Sequence, residues 1–162
     1  MRNEFYSHLG QFVADFQDIE AEVKDIILHL VNGNDEFVEI LINEHSFLSL
    51  LRAVDVLFAR YIDERGYDVS EKKCFHKAIV KCQKLAELRN NLVHSQYKML
   101  VKNNAPVGLV RENSRLSGGK GERTKVSVDL SNQNFFDYFK LIEESLMELG
   151  SFRSKIIDWN YP

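Results

Sequence analysis

Three polar residues near the middle of the chain carry the groups needed to cleave a phosphodiester bond without a metal. Arg89, Asn90 and His94 stand among apolar residues in the stretch 85–97. Arginine keeps its positive charge and can stabilise a phosphate, whereas histidine can exchange a proton near neutral pH. RNA supplies its own nucleophile, the 2′-hydroxyl, so a base and a cation suffice for its cleavage. These residue types are therefore the ones that cleavage of RNA would require, while DNA, which lacks the hydroxyl, should resist.

The spacing of these residues limits how they can cooperate. In a regular helix of about 100° per residue, Asn90 and His94 are one turn apart and share a face directed away from the apolar stripe. Arg89 lies beside that stripe, about 140° from His94. The two side chains can act on one phosphate if the helix bends or ends between them, if they flank an extended group, or if a second copy of the chain completes the site.

Long helices must position this segment, because apolar residues recur at steps of three and four along most of the chain. The stretch 36–43 is so densely apolar that it predicts only a short helix or a turn. Ser70 is the predicted N-cap of the helix that carries the polar residues, and Asn132 or Asn134 that of the last helix. The predicted main helices span about residues 3–31, 45–62, 70–97 and 132–157.

A different pattern separates the last two helices. Two short β-type runs, 107–111 and 124–130, flank a glycine-rich tip and predict a β-hairpin within about residues 98–131. A chain of 162 residues is long enough for one real core, so we expect a single domain over 1–162. The predicted fold class is all-α, an up-and-down four-helix bundle with the hairpin inserted before the last helix.

The hairpin region is basic although the chain as a whole is acidic. The net charge is −3, yet residues 98–125 contain seven basic and two acidic residues. A basic patch on an acidic body can steer a polyanion locally, so this region predicts contacts with an RNA backbone. The alternative is a solvated sheet edge that its charges protect from aggregation. The candidate RNA-binding residues are Arg111, Arg115, Lys120, Arg123 and Lys125.

Other residues predict neither a metal nor a cofactor. Cys74 and Cys82 are read as reduced thiols, and Cys74 with His76 lacks the second ligand pair that a zinc site needs. The sequence contains no apolar run of membrane-spanning length and no signal-peptide core, which predicts a cytoplasmic protein without membrane contact. Asp55 is unusual on an apolar helix, and its partner could be Arg52, Arg60 or the Arg89 face.

The segment Arg89-Asn90-Asn91-Leu92-Val93-His94 resembles the signature of the HEPN superfamily of nucleic-acid-associated helical proteins. That signature is an arginine, four to six residues and a histidine, typically with a polar residue after the arginine. The wider resemblance, a helical bundle with the motif late in its third long helix, covers most of residues 3–157. It implies a metal-independent endoribonuclease, often a toxin or phage-defence effector, that acts as a homodimer with both motifs at one cleft.

The resemblance also implies roles for individual residues. Arg89 would bind and polarise the scissile phosphate, His94 would be the general base or acid, and Asn90 would orient one of them. Asn91 and Tyr97 are possible auxiliary residues. In a related toxin group, a tyrosine two residues after the histidine is modified by a partner enzyme, whereas here position 96 is glutamine and the tyrosine follows it. The implied partners are RNA, a second copy and an antitoxin or another protein.

Two alternatives remain open from the sequence. A second match to the same pattern runs from Arg2 to His8, but it lies at the chain terminus and no basic hairpin follows it. The other alternative concerns function: the 89–94 segment could be a dimer or partner surface, or could bind a nucleotide or RNA, in a non-catalytic interaction module. In that case Arg89 would form an ion pair within its own subunit, for example with Glu87 or Glu143.

Overall fold

Helices make up most of the protein, as the apolar periodicity predicts. The computed structural model describes residues 2–33, 35–103, 105–117 and 122–161. Within these residues, the five helices are α1 (Arg2–Val31), α2 (Asp35–Asn43), α3 (Phe47–Arg65), α4 (Ser70–Val93) and α5 (Asn132–Asn160). The three strands are β1 (Gln96–Lys102), β2 (Ala105–Ser117) and β3 (Glu122–Leu130). The mainly-α class is therefore confirmed.

Aromatic side chains form much of the core between the long helices. α1 packs against α3 and α5, and α4 packs against α3, α5 and α1. Between α3 and α4, the rings of Phe58 and Phe75 stack with their centroids 4.1 Å apart, and Phe152 of α5 meets Phe75 edge-on at 5.1 Å. Burying each such side chain stabilises the fold by about 1.5–3 kcal/mol, so these contacts fix the helices that carry the candidate residues.

Polar caps define both ends of α3. The Ser46 hydroxyl accepts a hydrogen bond from the Ser49 backbone N–H at 3.3 Å, and Gly66 ends the helix with φ of 70°. A side chain at that positive φ would be strained, which explains a glycine there. The helix extends one turn beyond the predicted end at residue 62.

The N-cap of α4 and its C-terminal end differ from the prediction. Its N-cap is Val69, not Ser70, and the Asp68 carboxylate accepts from the Ser70 N–H at 2.8 Å. The helix ends at Val93 instead of about Tyr97, because the last carbonyls are satisfied by side chains that follow them. The Tyr97 hydroxyl donates to the carbonyl of Leu92 at 2.5 Å.

The predicted two-stranded hairpin is a three-stranded antiparallel sheet in the order β1-β2-β3. β1 was not predicted as a strand, and β2 extends six residues beyond the predicted end at residue 111. The tip residues 118–121 lie outside the described part of the chain. The N-cap of α5 is Ser131, one residue before Asn132 and three before Asn134, the two predicted caps. Asn134 contributes by accepting from the Ser131 N–H at 2.8 Å.

The two faces of the sheet have different environments. On the inner face, Leu109 and Leu130 are register partners and are buried, and the Tyr97 ring lies 4.9 Å from that of Phe5 in α1. On the outer face, Lys98 and Lys125 are exposed to solvent. Strand alternation separates these two sets of side chains. Among the described residues, no helix combines the length and the apolar character needed to cross a bilayer.

Candidate functional site

Arg89 lies on the last turns of α4 and is half-buried. Its Nη1 donates a hydrogen bond to the Asn90 side-chain oxygen at 3.1 Å, and its Cζ lies 5.9 Å from the centroid of the Phe16 ring. The Nε is enclosed and finds no hydrogen-bond acceptor within the described part of the chain. A buried donor without an acceptor is costly, so the Arg89 side chain is held in this position at an energetic cost.

The side chains around Arg89 form a cleft of about 280 Å³ between α1, α3 and α4, which we call the Arg89 cleft. Glu20 also lines it, but the described residues include no ion pair between Glu20 and Arg89. Two opposite charges thus face one cleft without contacting each other. The lining residues are Phe16, Glu20, Ser46, Phe47, Leu48, Ala86, Arg89 and Asn90.

His94 occupies a different position, at the C-cap of α4. Its backbone has φ of −98° and ψ of 17°, its N–H donates to the carbonyl of Asn90 at 3.0 Å, and its side chain is exposed. The imidazole opens on a groove of about 220 Å³ at the outer face of the sheet, which we call the His94 groove. The lining residues are His94, Gln96, Lys98, Glu112, Asn113, Ser114, Arg123 and Lys125.

The His94 groove has an excess of positive charge. Lys98 pairs with Glu112 at 2.5 Å, which neutralises one lysine. Arg123 and Lys125 are exposed, and neither forms an ion pair with a described residue. Because both follow the outer-face register of β3, they point to the same side as the imidazole. The groove therefore combines an imidazole with two cations that pair with no described carboxylate, a combination that suits a phosphate backbone.

The structure thus brings only some of the predicted site residues together. Arg123, Lys125 and His94 share a groove, whereas Arg89 and Asn90 line the other cleft. Arg111 lies on the inner face of the sheet with its Nε enclosed and without an acceptor among the described residues. Its contact with RNA stays a prediction that the groove does not support. The side chain of Arg115 and all of Lys120 lie outside the described residues.

The two predicted auxiliary residues join the end of α4 to the sheet. Asn91 accepts a side-chain hydrogen bond from Asn113 of β2 at 3.5 Å, and the Ser95 hydroxyl donates to the Asn91 carbonyl. The Tyr97 hydroxyl donates to the Leu92 carbonyl. Burial raises the pKa of this hydroxyl to about 12, although the charge of Arg111 acts in the opposite direction. The hydrogen bonds of Asn91 and Tyr97 therefore fix the backbone on the two sides of His94.

The second match to the motif has a different environment. The side chain of Arg2 lies outside the described side chains. His8 is half-buried among the rings of α5, with centroid distances of 5.7 Å to Phe135 and 5.7 Å to Phe136. Its Nδ1 is enclosed and has no hydrogen-bond partner among the described residues. An imidazole packed against aromatic rings is less suited to a polyanion than the exposed imidazole of His94.

Asp55 has a partner that the sequence did not indicate. It pairs with His76 of α4, Nδ1 to Oδ2 at 2.7 Å, and not with Arg52 or Arg60. These residues line a wide groove of about 430 Å³ between α3 and α4, where Lys72 and Asp63 form a second pair. Among the described residues, no group of three histidine, cysteine, aspartate or glutamate side chains could hold a metal ion.

Sequence reasoning did not find several residues that line the two clefts. Glu20 and Phe47 come from α1 and α3, far from Arg89 in the chain, and no local pattern distinguishes Glu20 from the other acidic residues of α1. Gln96 and Lys98 lie on β1, which was not predicted as a strand. The alternation of polar and apolar residues from 96 to 99 was the signal that could have found them.

Comparisons with models of protein families, with curated proteins and with solved structures give no match for this chain.

Proposed function

We propose that the protein is a metal-independent endoribonuclease of the HEPN type that acts as a homodimer. In this proposal α1, α3, α4 and α5 are the four helices of a HEPN-like up-and-down bundle, and α2 and the sheet are additions to it. The His94 groove carries the proposal, because an exposed imidazole shares it with Arg123 and Lys125. By the same resemblance, the setting is a toxin or phage-defence system in the cytoplasm, with an antitoxin as a further partner.

The groove supplies most of what RNA cleavage requires. The cations hold phosphates on either side of the scissile bond, and His94 takes the proton of the 2′-hydroxyl. The 2′-oxygen then attacks the phosphorus, and the bond to the 5′-oxygen breaks. That oxygen leaves with a proton from water or from a protonated imidazole. The products are a 2′,3′-cyclic phosphate and a 5′-hydroxyl end.

A second copy completes the site in this proposal. Within one chain, Arg89 and His94 line different clefts, so they do not contact the same phosphate. A two-fold axis near the end of α4 would place Arg89 of one copy opposite His94 of the other. The guanidinium would then stabilise the charge that develops on the phosphate oxygens. Asn90 accepts a hydrogen bond from Nη1 of Arg89 and would thereby orient the guanidinium.

The first test is the substitution His94→Ala. We expect a loss of about 10²–10⁴ in the cleavage rate, the usual contribution of a general base. Cleavage of a labelled RNA is followed with and without a chelator, which should leave the rate of the parent protein unchanged. His45→Ala is the matched control, because His45 is also exposed but lies before α3. Equal rates for His94→Ala and the parent would disprove the role of His94.

The second test separates a shared site from one within a single chain. Arg89→Ala and His94→Ala are each expected to be inactive, but in a mixed dimer one site regains both residues. Equimolar mixing makes about half of the dimers mixed, each with one intact site of two, so activity should return to about a quarter of that of the parent. If both residues act within one chain, mixing restores nothing, and the shared-cleft geometry is wrong.

A non-catalytic RNA-binding module is the second candidate. The hydrogen bond from Arg89 to Asn90 of its own subunit and the separate positions of Arg89 and His94 favour it. In that case the His94 groove binds RNA with the salt dependence of phosphate contacts, but no products form. Measuring binding and cleavage on the same labelled RNA distinguishes the two candidates.

A further inference from the structure

We infer that the Arg89 cleft binds one nucleobase of the RNA and prefers guanine; this inference rests on the proposed function and adds a base specificity to it. The cleft has a volume of about 280 Å³ and combines aromatic and aliphatic walls with a few polar groups. This is the usual make-up of a small-ligand pocket, in which apolar surface provides affinity and sparse polar groups select the ligand.

The polar groups of the cleft define which hydrogen bonds an occupant must offer. The Glu20 carboxylate can only accept, and the Arg89 guanidinium can only donate. Its Nη1 already donates one hydrogen bond to Asn90, its Nε is enclosed, and Glu20 and Arg89 form no ion pair within the described residues. The ligand that satisfies both therefore presents donors to Glu20 and an acceptor to Arg89.

Guanine presents both sets of groups on neighbouring edges. Its N1–H and N2–H₂ donors lie side by side and match the two oxygens of a carboxylate, while O6 and N7 accept from arginine. In the same pose, adenine would set its N1 lone pair against Glu20, and its N6–H₂ gives Glu20 one donor group where guanine gives two. Uracil offers a single donor between two acceptors, and cytosine has no ring N–H on its pairing edge. The charge pattern of the cleft thus favours guanine.

The walls of the cleft can hold a flat ring. Phe47 is half-buried, and its ring meets the ring of Phe16 edge-on at 5.3 Å, so part of its surface remains open to the cleft. Stacking of a base on an aromatic side chain typically contributes a factor of about ten or more in affinity. The side-chain amide of Asn90 and the hydroxyl of Ser46 stand at the same cleft as further polar contacts.

Binding of mononucleotides to the full chain tests this inference without any cleavage. Guanosine, inosine and adenosine 5′-monophosphates are titrated by calorimetry. We expect guanosine monophosphate to bind at least about tenfold more tightly than adenosine monophosphate, since a charged hydrogen bond is replaced by repulsion. Inosine monophosphate lacks only the N2 amino group, so its affinity should fall between the two.

Two variants locate the preference in the cleft. Glu20→Gln should remove most of the preference for guanosine monophosphate, because one carboxylate oxygen becomes an NH₂ group that faces the N1–H and N2–H₂ donors. Asp18→Asn is the matched control, an exposed carboxylate two residues earlier on the same helix, and should bind like the parent. Thermal unfolding of both variants checks that the fold is retained.

The possible outcomes distinguish this inference from the proposed function. If the three mononucleotides bind equally or none binds at millimolar concentration, the guanine pocket is disproved, while cleavage of RNA can still occur. If guanosine monophosphate binds selectively but RNA stays intact, the pocket stands and the nuclease does not. A preference for guanine that persists in Glu20→Gln would also overturn the inference.

Discussion

The Arg89 cleft and the His94 groove begin at the same end of α4, five residues apart, yet they have opposite characters. The first lies between three helices and encloses a permanent cation over an aromatic ring. The second is open to water and combines an imidazole with exposed basic side chains. In the proposed function this difference separates two tasks: the guanidinium that would stabilise the phosphate is sheltered, and the imidazole that would take a proton is exposed.

This difference arises from how α4 ends. Arg89 lies within the helix and points to its neighbours α1 and α3, whereas His94 follows the last helical residue and turns to the sheet. Leu92 is fully buried between these positions. One helix end can therefore present two surfaces that a single nucleic-acid strand could follow, but a single phosphate could not reach both.

The largest effect is expected from Leu92→Ala, which should disturb both clefts at once. Removing this buried side chain leaves a cavity under the last turn of α4 and should lower the free energy of unfolding by about 2–5 kcal/mol. Denaturant titration measures it. Val93→Ala, at the neighbouring exposed position, should change stability by less than about 1 kcal/mol. Similar losses in both variants would show that the helix end is not packed as described.

A smaller effect, confined to the His94 groove, is expected from the double variant Arg123→Ala, Lys125→Ala. We expect RNA affinity to fall by roughly tenfold, and the slope of log K against log salt to become shallower by about 0.7 for each phosphate that is no longer neutralised. Filter binding at several salt concentrations measures both. A double variant of two exposed lysines on the helices, Lys77→Ala and Lys140→Ala, should leave the slope unchanged. Equal slopes for the parent and the groove variant would place RNA elsewhere.

The smallest effect is expected from Tyr97→Phe. This substitution removes a hydrogen bond next to His94 and leaves the residues of the Arg89 cleft unchanged. Loss of the hydrogen bond to the Leu92 carbonyl should cost about 1 kcal/mol of unfolding free energy. The pKa of Tyr97 is raised from 10.0 to about 12 by burial, so the neutral hydroxyl favours the folded state. Its contribution is complete below pH 10 and is lost as the pH rises through 12.

Stability curves against pH test this assignment. The parent should lose stability between pH 10 and 12, and the Tyr97→Phe variant should lose less of it there. Tyr161→Phe is the control, because that side chain is exposed near the end of α5 and should change neither the stability nor its alkaline decline. An identical alkaline decline in the parent and in Tyr97→Phe would mean that other groups cause it.

Much of the helical part of the fold followed from the sequence because its apolar residues recur with helical period over long stretches. The prediction for residues 3–31 and the observed α1 differ by one residue. The end of α4 was harder to predict. No glycine or proline marks it, and the residue that stabilises it, Tyr97, acts from the following strand. A local pattern could not reveal that contact, so the helix was predicted four residues too long and β1 was not found.

The candidate site shows a similar limit. Helical geometry placed Arg89 and His94 about 140° apart, and they line different clefts. The residues that give each cleft its character come from other elements: Glu20 and Phe47 for one, Arg123 for the other. Their convergence depends on how helices pack and on the register of β3, and both are set by contacts between residues distant in sequence.

The connection between α4 and the sheet is very short. Only Ser95 separates the helix cap His94 from the first residue of β1, Gln96. His94 is therefore fixed between the edge strand β1 on one side and the helix α4 on the other. A glycine inserted after His94 would lengthen that connection, so the orientation of the ring would no longer follow the strand even though every group of the groove was retained.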